Sequence, residues 1–357
     1  MDMETPNERQ AQANGVPGGV LAKVLAATAK INDMQNVARI NEEALAKFVE
    51  GGEASLEKYK RLVRRVPLPL KFDDNAQEIN FHSLLALLSF GGAHEPALVR
   101  LTGSTVEDSV KFGLIGSHLA RERLDATWMK NAHVGSISEG FKIPVREPAP
   151  SGIPGVTVDK PGALVAHAQA LCSVLNSTGE ALLSRGYSDM AQFIIHSAKS
   201  DRGAEGMVRS LVGVLPAFRD AEKYEDKEVL MLKNAQVLAG ELCARLGPSV
   251  EALRFDDVHE LTAVVDADVI TALINVGILE RAAPNDEDED GEQGGNAFKA
   301  EETAALRAVA VQACHRLAES LGDEYQAHDL SLFLKRLGRR KEYKDLPRFI
   351  PHVSGAL

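Results

Sequence analysis

Aromatic side chains are scarce: Phe, Trp and Tyr make up 5% of the 357 residues. The core must therefore be assembled from Leu, Val, Ile and Ala, and Ala and Leu lose little or no side-chain entropy in a helix. Cysteine is nearly missing too. Cys172, Cys243 and Cys314 are odd in number and far apart, which argues against a disulfide framework and for small buried hydrophobes in a reducing compartment. No segment approaches the roughly 20 apolar residues that span a bilayer, and residues 1–19 hold no apolar run of the secretory kind. A cytoplasmic location is expected, with the nucleus as the alternative. Basic charge is short as well, 40 Lys and Arg against 51 Asp and Glu, for a net charge of −11. Gripping a long polyanion requires a basic face, so stable nucleic-acid binding is not expected. A single phosphate needs only a few donors, which leaves a mononucleotide open as a partner. Neither a GxGxxG nor a P-loop is present, so the common nucleotide-binding folds have no motif support.

What is present is helical periodicity. It predicts an all-α, multi-helix single domain over residues 20–357 behind a disordered tail, 1–19. From Val20 one helical pattern places Val37, Ile40, Ala44 and Phe48 on one face and stops at Gly51-Gly52. Leu56–Val66 reads as an amphipathic helix, with Arg61, Arg64 and Arg65 as its solvated face. Ile79–Phe90 is nearly all apolar and closes on Gly91-Gly92, as a buried core helix would; His82 within it reads as a hydrogen-bonded core histidine. Residues 104–131 form a helix or a pair around Trp128. Residues 144–161, rich in Pro and Gly, read as an extended loop. Later stripes run from Leu164 to Leu183, along Val229, Leu232, Gln236, Ala239, Cys243 and Leu246, and from Leu306 to Leu321. Residues 284–297 enclose the acidic run Asn285–Gln293, a solvated loop insertion without EF-hand spacing, so no metal is expected there.

Five segments, in order, carry a more specific signal. They are Leu175-Asn176-Ser177-Thr178-Gly179, Leu215-Pro216-Ala217-Phe218-Arg219-Asp220, Leu232-Lys233-Asn234-Ala235-Gln236, Val264-Val265-Asp266 with Val276-Gly277-Ile278-Leu279, and Asp329-Leu330-Ser331-Leu332-Phe333. Over about residues 164–340 they resemble the LNETG, FP-aromatic-RD, YKRAQ, FAD…LGAL and DxxLW motifs of the queuosine salvage family. The resemblance implies an all-helical fold related to helix-hairpin-helix DNA glycosylases. It also implies hydrolysis of the N-glycosidic bond of queuosine 5′-monophosphate, releasing queuine, without metal or organic cofactor.

Breaking that bond builds positive charge on the ribose C1′, which a fixed carboxylate in a dry pocket stabilises. The resemblance makes Asp266 the catalytic carboxylate. Read alone, Asp266 is equally a good N-cap for the helical run that follows, and Asp268 is a rival two residues on. Lys233 matches the motif lysine and would contact sugar, phosphate or Asp266; its plain reading is a mid-helix surface lysine. Asp329 either caps a helix or accepts from the N–H donors of a guanine-like edge. Phe333 either stacks on the base or fills core, and Val264 lines the substrate side of Asp266. The pattern departs from the family at Val264 (Phe), Asn234 (Arg), Leu232 (Tyr), Phe333 (Trp) and Ser89-Phe90 (Asn-Phe). These departures remove groups that stack on or hydrogen-bond a base, and with them support for the substrate's identity.

Overall fold

The computed structural model describes residues 18–34, 37–65, 68–153, 156–281, 300–340 and Phe349. The acidic insertion 284–297, and the expected tail apart from Gly18 and Gly19, lie outside the described residues. As the Ala- and Leu-rich composition dictates, helices dominate the described residues, and among them the all-α expectation holds apart from three short two-stranded ribbons.

The first departure comes early. The single helical face expected from Val20 to Gly51 is broken into α1 (Val20–Met34), strand β1 (Ala38–Ile40) and α2 (Glu42–Glu50). Asn41 resets the chain: its side-chain oxygen accepts the Ala44 N–H at 2.9 Å and starts a new helix. Residues 38–40 meanwhile pair antiparallel with residues 279–281, a partner that helix periodicity cannot announce. Next come α3 (Leu56–Val63) and α4 (Asn75–Leu87), the latter capped by Asp74 and followed by Gly91 at φ 97°. The next region contains α5 (Glu95–Thr102), α6 (Val106–Leu119), α7 (Ala126–Lys130) and α8 (Val134–Gly140), so residues 104–131 form a pair. Residues 144–161 are not a plain loop. They contain an exposed hairpin, β2 (Arg146–Pro150) against β3 (Thr157–Pro161). Proline is tolerated because each strand of a lone ribbon has one edge that needs no N–H.

After it runs α9 (Val165–Ser184), and here the first motif segment has a packing role. The Asn176 side-chain amide donates to the carbonyls of Met129, Lys130 and Ala132 at 2.9–3.0 Å, covering the open C-terminal end of α7. A Cβ at Gly179 would lie 2.5 Å from backbone atoms of Ala126 and Lys130, so only glycine permits the approach. The chain continues through α10 (Met190–Ser200), α11 (Ala204–Val214), the ribbon β4 (Ala221–Tyr224) and β5 (Lys227–Leu230), and α12 (Lys233–Leu246). The stripe from Val229 to Leu246 is therefore half right: Val229 belongs to a strand and the helix begins at Lys233. The last elements are α13 (Ala267–Asn275), β6 (Leu279–Arg281), α14 (Ala300–Leu321) and α15 (Ala327–Gly338).

Two large apolar cores result. The first joins α4, α6 and α9–α12 around Phe81, Leu114, Leu171, Phe193, Phe218 and Leu238. The second joins α2, α3 and α13–α15 around Phe48, Leu273, Cys314 and Phe333. Cys172 and Cys314 are buried and none of the three thiols is bridged. Among the described residues no helix is long and apolar enough to cross a membrane. Between the two cores, Lys335 and Arg339 of the α15 end pair with Glu107 of α6 and with Asp266 and Asp268 at the start of α13.

Candidate active site

The geometry starts from a tight hairpin. Glu225 and Asp226 both have positive φ, 46° and 59°, the backbone of a two-residue turn that matches strand twist. The ribbon it closes carries the chain out from Asp220 and back to Leu232. Leu232 is fully buried at φ 53°, a left-handed conformation that costs a non-glycine residue about 1–3 kcal/mol. Asp220 holds it there. Its carbonyl accepts the N–H groups of Met231 (2.8 Å) and Leu232 (3.1 Å), and its side chain accepts the Lys233 N–H at 3.1 Å. Arg307 of α14 clamps the Asp220 carboxylate with two hydrogen bonds, 2.6 and 3.0 Å, and reaches Glu222 at 2.5 Å. Burial works against the Asp220 charge, yet Arg307 draws its pKa below the ordinary carboxylate value.

Lys233 is thus the first residue of α12 rather than a mid-helix lysine. Its ammonium donates to the Ser89 carbonyl at 2.9 Å, in the segment after α4. Burial lowers its pKa from the ordinary lysine value, a drop that Asp266 and Asp220 only partly offset.

Asp266 does two jobs at once. Oδ1 accepts the N–H groups of Asp268 (3.1 Å) and Val269 (3.2 Å), so it is the N-cap of α13. Oδ2 accepts Lys335 of α15 at 2.7 Å, and the side chain keeps 24% exposure. The cap reading and the functional reading are therefore compatible. Although burial penalises its charge, Lys335 and then Lys233 hold Asp266 well below the usual carboxylate range. The lysine bonded to Asp266 is Lys335, whereas the Lys233 ammonium donates to the Ser89 carbonyl. Lys335 also reaches Glu107 of α6 at 3.0 Å, and Arg339 ties Glu107 (2.8 Å) to Asp268 (2.6 Å). These pairs bridge the two cores. Asp268, the rival, is committed to Arg339.

Asp329 is not a cap. It lies in the first turn of α15 and accepts Arg65 Nη1 at 2.8 Å. Arg65, expected on a solvated face, is only 13% exposed and also bonds Glu241 at 3.1 Å, which in turn bonds Arg245 at 2.7 Å. The reason for the difference is that α3 ends at Val63, and the extended backbone at Arg64 turns the next side chain inward. Phe333 is fully buried against Tyr59, ring centroids 6.1 Å apart; it fills core and has no face free for a base. Val264 is 5% exposed, its N–H donating to the Ser331 hydroxyl at 3.1 Å, so its side chain is buried rather than open to a substrate. Asn234, where the family motif has Arg, is nearly buried, and its side-chain oxygen has no hydrogen-bond partner among the described residues.

Lys233 and Asp266 are thus brought into one charged constellation with Lys335 and Asp220, and Asp329 joins a neighbouring one through Arg65 and Glu241. Lys335, Arg307 and Glu107 escaped the sequence reading. No motif marks them, and their only signal is basic or acidic character on helices with apolar faces. A separate cleft of about 650 Å³, lined by Ser109, Phe112, Gly113, Gly116 and Phe141, does not include these residues.

Burial also sets a pH response. His82, His167 and His315 are each held neutral by desolvation, with pKa lowered to about 4, and both ring nitrogens of His167 lack partners among the described residues. An unfolded histidine takes up its proton near 6.5. The unfolded chain therefore binds more protons as the pH falls from about 6.5 to 4, and stability is lost across that window. Glu107 adds to the loss at lower pH. Burial raises its pKa, but Lys335 and Arg339 bring it down to about 2, and its stabilisation disappears as pH falls below the ordinary carboxylate value. The melting temperature should drop by several degrees between pH 7 and about 4.5; a flat profile over that range would contradict the burial of these rings.

Residues 159–342 match the family model described as queuosine salvage protein, a span that contains Lys233, Asp266, Asp329, Asp220, Arg307 and Lys335. A protein of Sphaerobacter thermophilus named queuosine 5′-phosphate N-glycosylase/hydrolase is 29% identical over 177 residues, 49% of this chain and 53% of that protein. Proteins of the same name from Mus musculus and Bos taurus are each 26% identical over 107 residues, 30% of either chain. The match thus spans about half the length, or less, of these curated relatives.

Proposed function

Because the chain belongs to the queuosine salvage protein family, we propose that it hydrolyses the N-glycosidic bond of queuosine 5′-monophosphate, releasing queuine and ribose 5-phosphate. The observation that carries this reading is Asp266. It is an ionised carboxylate fixed by two backbone N–H groups and Lys335, yet still partly open to solvent. Such a group is preorganised, with nothing left to reorient when charge develops. The C1′–N bond breaks with its electron pair leaving on the base, and C1′ becomes cationic beside Asp266. Water adds to C1′ and gives up a proton, and the base takes one up. The base of queuosine has carbon where a purine could be protonated on nitrogen, so help for the leaving group comes from donors to its other atoms. Lys233 is suited to that task, because its lowered pKa makes its ammonium a readier proton donor. The acidic net charge favours a mononucleotide over a nucleic acid, and the family resemblance would make the fold a relative of the helix-hairpin-helix DNA glycosylases.

The test is a product assay on queuosine 5′-phosphate, unphosphorylated queuosine and guanosine 5′-phosphate. Free base should appear fastest from the first, as queuine. Failure to release any base from all three would reject the reading. That outcome would favour a second one, a non-catalytic helical nucleotide-binding or interaction protein with a degenerate pocket. One observation supports this alternative: Leu232, Val264 and Phe333, at positions where the family motifs carry aromatics, are all buried in the core.

A further inference from the structure

We propose that Glu107 is a positioning residue for base release: it takes over the Lys335 ammonium when a cationic sugar forms at Asp266. The proposal rests on the nucleotide hydrolase reading above and deepens it. Asp266 Oδ1 is spent on two backbone N–H groups of α13, which leaves Oδ2 to face a developing cation. Oδ2 already accepts a hydrogen bond from Lys335 at 2.7 Å. Two positive charges on one oxygen repel each other, and Lys233 adds a third whose field also reaches Asp266. The charge on C1′ is therefore met best when the Lys335 ammonium withdraws.

A withdrawn ammonium needs a second carboxylate, because a largely buried cation without a partner is strongly destabilising. Glu107 is in place to supply it. Lys335 Nζ lies 3.0 Å from Glu107 Oε2, so a rotation at the end of the lysine changes its partner. The ammonium moves as a whole and no proton is transferred. Charge balance supports the exchange. Arg339, the other cation on Glu107 (2.8 Å), has a carboxylate of its own in Asp268, which accepts Nε at 2.8 Å and Nη2 at 2.6 Å. Once Asp266 serves the sugar, Lys335 and Arg339 still face Glu107 and Asp268, two cations against two anions. Glu107→Gln keeps the resting protein paired, Lys335 on Asp266 and Arg339 on Asp268, yet removes the place to which the ammonium goes. The side chains of Asp266, Lys335 and Glu107 are all partly exposed, so a ligand can approach the pair.

The experiment measures kcat and KM for base release from queuosine 5′-phosphate by wild type, Glu107→Gln, Lys335→Gln and the double variant, each with a thermal melt. Glu107→Gln should lower kcat roughly ten- to a hundredfold, the scale of one hydrogen bond between charged groups. KM should stay unchanged, the mark of an interaction made in the transition state alone. In the Lys335→Gln background the same substitution should change kcat by less than about twofold, since Glu107 acts through that lysine. An unchanged kcat in folded Glu107→Gln, or an equal loss in both backgrounds, overturns the proposal. If Glu107→Gln does not fold, Glu107→Asp decides, its carboxylate drawn back from Lys335 by one methylene and its loss of kcat smaller. Should wild type release base from no nucleotide, calorimetry separates the two ideas, with an iminoribitol 5-phosphate, cationic at the sugar ring, set against ribose 5-phosphate. Weaker binding of the iminosugar alone by Glu107→Gln upholds the exchange while the hydrolase reading fails. An equal effect on both sugars, or binding of neither, overturns both.

Discussion

Asp266→Asn should reduce queuine release by on the order of 10²–10³-fold, the scale on which removing one preorganised electrostatic partner acts, while the protein remains folded. The substitution is informative because the two oxygens of Asp266 have different duties. Oδ1 caps α13 by accepting two N–H groups, and asparagine is as good a cap as aspartate. Oδ2, bonded to Lys335, carries the charge that would face the anomeric carbon. Asn keeps the first duty and loses the second. Lys335 is not stranded by the change, since Glu107 stays within 3.0 Å. Asp266→Ala removes both duties and should cost about a further 1 kcal/mol of stability through the lost cap. Single-turnover product release together with thermal melts of both variants checks the claim. An Asp266→Asn protein that releases queuine at the normal rate would remove this carboxylate from the chemistry.

The second large effect is expected at a residue that touches no substrate. Arg307→Met should destabilise the protein by about 3–5 kcal/mol, because it leaves the largely buried carboxylates of Asp220 and Glu222 without their counter-charge. The damage should extend to activity. Asp220 holds the strained Leu232 and accepts the Lys233 N–H, so loosening it moves the ammonium assigned to the proposed reaction. Combining Arg307→Met with Asp220→Asn should recover part of the stability, since one orphaned charge disappears, but little of the activity. Urea denaturation of the two proteins measures the first half and base release the second. If Arg307→Met proves as stable as wild type, the clamp is not what holds the turn before α12.

The helices were readable because the rules that make them act over a few residues. Asp74, Asp189 and Asp266 sit at helix starts and accept N–H groups two or three residues on. Of these the sequence marked Asp266 as a cap, along with the buried stretch of α4 and the stripe of α9, whereas Asp329, also read as a cap candidate, lies inside the first turn of α15. Where partners are remote, the reading faltered. The early single helix gave way to a strand paired with residues 279–281, and the helix assigned through Val229 and Leu232 proved to be a ribbon and a left-handed turn. Of the proposed site, Lys233 and Asp266 were legible through motif resemblance, whereas Phe333 turned out to be core.

Local sequence alone determined the predominance of helix, several of the helix starts and the chemical types available to the site, because propensity and capping are properties of neighbouring residues. Tertiary structure decided which charges meet. Asp266 pairs with Lys335 across 69 positions, Asp220 with Arg307 across 87, and Arg65 with Asp329 across 264. An ion pair between helices depends on how their apolar faces pack, and that packing is settled jointly by two cores that no single segment encodes.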